Sequence, residues 1–202
     1  SALAAELAVV ISDQADAFSL ERAKKHNIPA VHVGSKGYKG NRDEYDALLV
    51  KELRKHGVEL VVLAGFMRII TPTLLKAFPN RVMNIHPALL PSFPGLHVQK
   101  AALTHGAKFS GCTVHFVDEG MDTGPVIVQK AVPVLDDDTP ESLHARIQLQ
   151  EHIAYPEALA LLRRIDEPGR PEVHGARHHL HQVVDALHPD RRLRLRPRPH
   201  LS

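Results

Sequence analysis

The sequence predicts an α/β protein built on a doubly wound, mostly parallel sheet, and three observations carry that reading. Short apolar runs alternate with segments of helical period as far as Ile85, the β-α-β-α-β rhythm of such folds. One of these runs, ELVVLA from Glu59 to Ala64, is apolar without alternation, as expected of a strand that a parallel sheet buries on both faces. The strand-like run from Arg81 to Ile85 then breaks into Asn84, His86 and a loop with three prolines and a glycine. Strand ends capped by stiff loops are where open α/β sheets place their chemistry.

In chain order, AVVIS (Ala8 to Ser12) reads as a strand, and Ala17 to His26 as a helix that Asn27 and Pro29 end. Ala30 to Val33 is a brief strand. Asp43 to His56 is the clearest helix, with Tyr45, Leu48, Leu49 and Leu53 on one face and Gly57 beyond its end. Pro72 to Phe78 predicts a short helix before the strand Arg81 to Ile85. Cys112 to Val117 and Val126 to Val132 are strands close in sequence, expected at a more mixed edge of the sheet. Asp138-Thr139-Pro140-Glu141 supplies a cap, an early proline and an early acid for a helix running to about Arg164. Residues 1–165 thus read as one catalytic domain. Residues 166–202 read as an Arg/His/Pro-rich tail, mostly disordered, with one short helix near Gln182 to Leu187.

A chain of 202 residues, 44% hydrophobic and 24% charged, can bury a core of its own. No apolar run is long enough to suggest a membrane helix, and SALAAELAVV lacks the basic start of a signal peptide. One cysteine, Cys112, forms no internal disulfide and fits a reducing, cytoplasmic setting. Its strand context predicts a buried, inert thiol rather than a nucleophile. The formal net charge of +2 sits wholly in 166–202, where seven arginines face five acids. Residues 1–165 balance 18 basic against 18 acidic groups, so the body has no electrostatic footprint for nucleic acid.

Asn84 and His86 lie two apart at a strand end, so alternation points both side chains the same way. An amide donor beside an imidazole suits the stabilisation of a developing oxyanion and exchange of a proton with it. The plain alternative is an Asn and a His closing the strand through local hydrogen bonds. The three prolines between Pro87 and Pro94 fix the loop at low entropic cost and favour the first reading. Asp122, in DEGMDTGP (Asp118 to Pro125), lies in an exposed turn, or else a carboxylate there orients and charges His86. GSKGYKG (Gly34 to Gly40) lacks the phosphate-loop spacing and reads as a surface loop. His97, His105 and His115 lack the spacing of a metal site, and no metal is expected.

VVLAGFMRI (Val61 to Ile69), MNIHPALLPSFPGLH (Met83 to His97), GCTVHFVDEGMDTGPVI (Gly111 to Ile127) and RIQLQEHIAYP (Arg146 to Pro156) together resemble the phosphoribosylglycinamide formyltransferases, folate-dependent formyl transferases of purine synthesis. The resemblance implies a Rossmann-like fold and transfer of a formyl group from 10-formyltetrahydrofolate, as co-substrate, to the glycinamide amine, without metal. It places Asn84, His86 and Asp122 on the catalytic positions and His115 on a supporting one. It implies folate contacts from Arg42, Met67, Arg68, Ile69, Ile70, Asn84 and the loop Asp118, Glu119, Gly120, Met121 and Asp122. Gln148 and Glu151 match positions that hold the ribosyl glycinamide. The expected partners are these small molecules, with no nucleic acid or membrane, in a monomer or homodimer.

Two other activities share this kind of domain: hydrolysis of 10-formyltetrahydrofolate, and formylation of initiator methionyl-tRNA. The first is expected with a regulatory domain ahead of the catalytic one, the second with a basic C-terminal domain. A third reading is an inactive folate-binding fragment, because the family opens with a strand and a G-x-G-S-N loop that grips the substrate phosphate. The chain begins after that loop. The expectation is a natural product longer at its N-terminus by about twenty residues, with poor ribonucleotide binding and marginal folding without them.

Overall fold

The computed structural model describes residues 5–38 and 40–166, with the side chains of 164–166 excepted. The expected tail lies outside the described residues. Among these, the chain forms two compact units, one of residues 62–66 and 83–166, the other of residues 5–61 and 67–82.

In the second unit, β1 (Val10–Ser12) pairs in parallel with β2 (Ala30–His32), joined by α1 (Phe18–Lys25). A 3₁₀ turn at Lys36–Tyr38 falls within GSKGYKG and leads into α2 (Arg42–Lys55). Asn41 caps α2 by accepting the Glu44 N–H at 3.3 Å, which satisfies one of the free donors of the first turn. Tyr45, Leu49 and Leu53, spaced by four, are buried, while Leu48 is half-buried. α2 packs on α3 (Pro72–Ala77). The buried Asp46 carboxylate accepts the Thr71 N–H at 2.7 Å, fixing the start of α3 against α2.

The other unit carries most of a four-stranded sheet in the order β3-β4-β5-β6: β3 (Val61–Leu63), β4 (Val82–His86), β5 (Phe109–Phe116) and β6 (Val126–Pro133). β4 to β5 and β5 to β6 are antiparallel, which is the mixed edge the late strands predict. β5 is closed to solvent after Phe109, and Cys112 and Val114 are fully buried. The run at Glu59–Ala64 departs from expectation. β3 is only three residues long, and Val62 is 45% exposed, so the strand is not buried on both faces. Its end position in the strand order accounts for this, because an edge strand gains neighbours on one side alone.

α4 (Val98–Thr104) follows the proline-rich loop. α5 (Pro140–Asp166) then packs on β5 and β6 through Leu143, Ile147, Ala154, Ala158 and Leu162, all buried and on one helical face. Burying each of the larger aliphatic side chains stabilises by about 1.5–3 kcal/mol. The start of α5 is fastened as its sequence predicts, with Thr139 Oγ1 accepting the Ser142 N–H at 3.2 Å and Pro140 as first helical residue. Arg146 adds a two-pronged pair with Asp138, at 2.6 and 2.8 Å. The Tyr155 hydroxyl lies 2.6 Å from the Leu63 carbonyl and 3.1 Å from that of Met83, tying α5 to the backbone of β3 and β4. No helix among the described residues is long and apolar enough to cross a membrane.

Candidate active site

The register of β4 against β5 sets the site. Asn84 stands opposite His115, and His86 opposite Thr113. Residues directly opposed on an antiparallel pair share a face, so all four side chains emerge on one side of the sheet. Asn84 Nδ2 lies 3.4 Å from His115 Nε2.

Each imidazole has a definable hydrogen-bonding state. His115 Nδ1 lies 2.8 Å from the Phe116 carbonyl, which can only accept, so Nδ1 carries a proton. Burial pulls the His115 pKa below its ordinary value, partly opposed by that carbonyl and by Asp122. The ring is therefore neutral, and its bare Nε2 accepts from the Asn84 amide. That amide keeps a second N–H for another acceptor.

His86 differs. Its Nε2 donates to the Phe93 carbonyl at 2.8 Å, and its Nδ1 stands 3.3 Å from Asp122 Oδ2. Both ring nitrogens face acceptors, an arrangement that suits an imidazole carrying two protons. Asp122 Oδ1 is 3.7 Å from His115 Nε2, and Oδ2 also accepts the Gly95 N–H at 2.9 Å. Asp122 adopts φ +56°, a left-handed conformation that Asp tolerates better than most residues.

The loop before Asp122 is held by Asp118, whose Oδ1 accepts from the Gly120 N–H at 3.1 Å and from the Thr123 hydroxyl at 2.7 Å. Met121 at its tip is 53% exposed, and Glu119 and Gly120 are exposed. On α5, Gln148 is exposed and Glu151 half-buried. Burial raises the Glu151 pKa, opposed by the neighbouring imidazoles of His144, His152 and His86.

Of the residues expected in this unit, Asn84, His115 and Asp122 thus form a cluster about His86. In the other unit, Arg42 opens α2 and is exposed, as are Met67 and Ile69. Arg68 lies 3.6 Å from Asp13, with its guanidinium 4.7 Å from the centre of the Tyr45 ring. The Ile70 side chain is buried. Among the described residues no group of His, Cys, Asp and Glu is arranged to hold a metal ion.

Residues 1–159 match the formyl transferase family. The chain belongs to that family. It is 42% identical over 165 residues to the phosphoribosylglycinamide formyltransferase of Bacillus subtilis, covering 82% of this chain and 84% of that one. It is also 49% identical to part of the trifunctional purine biosynthetic protein adenosine-3 of Chironomus tentans, over 79% of this chain. The chain spans only 12% of the length of that relative. Among solved structures, the glycinamide ribonucleotide transformylase 1 of Symbiobacterium toebii superposes with a TM-score of 0.74 at 54% identity, over 76% of this chain and 72% of that one. The phosphoribosylglycinamide formyltransferase of Bacillus halodurans gives 0.76 at 44% identity, over 80% and 83%. These likenesses bear out the α/β formyl transferase fold.

Sequence reading missed the Phe93 carbonyl and the Gly95 amide, which contact His86 and Asp122, and it missed Thr113 opposite His86. Backbone groups leave no mark in residue identity. The one usable signal was the rigid PSFPG segment that carries them.

Proposed function

We propose that this chain transfers the formyl group of 10-formyltetrahydrofolate to the amine of 5-phosphoribosylglycinamide, a step of purine synthesis. The observation that carries the reading is the junction of Asn84, His86, His115 and Asp122 through the β4–β5 register, in a chain whose bacterial relatives bear the name of that activity. The glycinamide amine attacks the formyl carbon, and a new C–N bond forms as the carbonyl oxygen takes up the negative charge. The free N–H of Asn84 and an N–H of His86 stabilise that oxyanion, each preorganised donor contributing roughly 10²–10³ in rate. Collapse breaks the bond from carbon to the folate nitrogen, and the proton lost by the amine passes to that nitrogen, with Asp122 and His86 as its relay. His86 exchanges one of its two present acceptors for the oxyanion, as groups in ligand-free sites commonly do.

On this unit, we assign the loop Asp118–Asp122 and Asn84 to the folate, and Gln148 and Glu151 to the glycinamide ribonucleotide. The test is an assay with 10-formyltetrahydrofolate and three acceptors: the ribonucleotide, water and charged initiator tRNA. Transfer to the ribonucleotide at a rate well above the other two is the expected result. Equal or faster loss to water, or formylation of the tRNA alone, would sink the reading.

A further inference from the structure

His86, Thr113 and Gln129 form one row across three strands, His86 opposite Thr113 and Thr113 opposite Gln129. Thr113 is fully buried, and its hydroxyl is saturated. It donates to the Ala88 carbonyl at 2.7 Å and accepts from the Leu90 N–H at 3.0 Å and from Gln129 Nε2 at 3.0 Å. Gln129 Nε2 also lies 2.8 Å from the Leu90 carbonyl. Three backbone groups of the loop after β4 are therefore tied to side chains of β5 and β6.

That loop is the one that reaches the His86–Asp122 pair. Beyond Leu90 it turns, with Ser92 N–H on the Leu89 carbonyl at 3.0 Å, and then presents the Phe93 carbonyl to His86 and the Gly95 amide to Asp122. Phe93 itself has φ +52°, a conformation an aromatic residue holds only where its surroundings fix it. A fold needing only to close β4 has no use for a buried hydroxyl here. Valine has nearly the same shape and as good a strand propensity.

We propose that Thr113 is a positioning residue for the reaction: its hydroxyl, steadied by Gln129, holds the loop from Pro87 to Gly95 so that the Phe93 carbonyl aims the His86 ring at Asp122. The proposal rests on the functional reading above for its kinetic consequence, but not for its geometric one. His86 is also faced by His115 from β5 and by the field of Glu151 on α5, and the Thr113 hydroxyl bonds to neither.

The experiment compares Thr113→Val, Thr113→Ser and Gln129→Ala with the parent chain. It measures kcat and KM with formyl folate and the ribonucleotide, ring ¹⁵N signals of His86 without ligand, and Tm. Thr113→Val is expected to lower kcat roughly 10–100-fold with KM nearly unchanged, as a misaimed group does. It should also displace the His86 Nε2 signal. Thr113→Ser should restore both. Gln129→Ala, on an exposed side chain, should shift the same signal by less and decides the matter if the valine variant does not fold. A lowered Tm with kcat and the His86 signals unmoved would overturn the proposal, as would a serine variant that restores neither. If the parent chain transfers no formyl group, the functional reading fails alone, and the His86 spectra still decide the positioning.

Discussion

Asp122 Oδ2 stands 3.3 Å from His86 Nδ1, and only 14% and 5% of the two side chains remain open to solvent. At that burial the pair is poorly screened, so the charge of Asp122 acts on the ring nearly undiluted. Asp122→Asn keeps the shape, the left-handed turn and an acceptor for Gly95 while removing that charge. Turnover should fall roughly 10²–10⁴-fold, the usual worth of a positioned proton carrier. A loss expressed in KM alone, measured by steady-state kinetics, would contradict the role.

His115 should make the fold sensitive to acid. Burial lowers its pKa, so as pH falls through the ordinary histidine value of about 6.5 the unfolded chain takes up a proton that the native state refuses. The unfolded state then binds more protons, and stability declines with falling pH by at most about 1.4 kcal/mol per unit from this group. His115→Gln should flatten that part of the stability curve, read from urea midpoints between pH 7 and 5. An unchanged slope would mean that His115 takes up its proton in the fold as it does in the unfolded chain, against the effect of its burial.

Cys112 should be silent. It is fully buried, and burial, with the charge of Glu151, pushes its thiol up to about 11. A thiol reagent at neutral pH is expected to modify it only after denaturation, because the thiolate is the reacting form. Rapid labelling of the native protein, followed by mass spectrometry, would refute this.

Gly111 has no room for a side chain. A Cβ there would run into the Lys130 carbonyl of β6 and come within 2.8 Å of Leu89 Cδ2. Gly111→Ala should destabilise by about 1–3 kcal/mol, the common cost of overpacking, seen as a lower denaturant midpoint.

What could be read in the sequence, and what could not, divides along physical lines. Asn84 and His86 were legible because polar residues at the end of an apolar strand break a strong pattern. The long helix α5 was legible because its cap, its proline and many turns of apolar period agree. α4 was invisible: at seven residues it offers too few periods, it has no acid in its first turn, and His97 before it makes no capping bond. β3 misled, since ELVVLA cannot reveal that its strand ends a sheet. Asp122 could be named from its turn as a carboxylate for His86, but not against a plain exposed loop, because its meeting with His86 depends on a register that no local spacing encodes.

The β5–β6 ladder has a break: Val114 faces Val128, but the next residue, His115, faces Val126, so Ile127 is left without a partner. One extra residue lets β6 stay paired on both sides while advancing the loop that carries Asp122 by a single step of about 3.4 Å. That step is close to the 3.7 Å between His115 and Asp122. Losing one residue here would thus drag the carboxylate by nearly the whole length of its contact. The hairpin should therefore be more sensitive to length than to residue identity, and a deletion of Ile127 is expected to be a harsher lesion than most substitutions there.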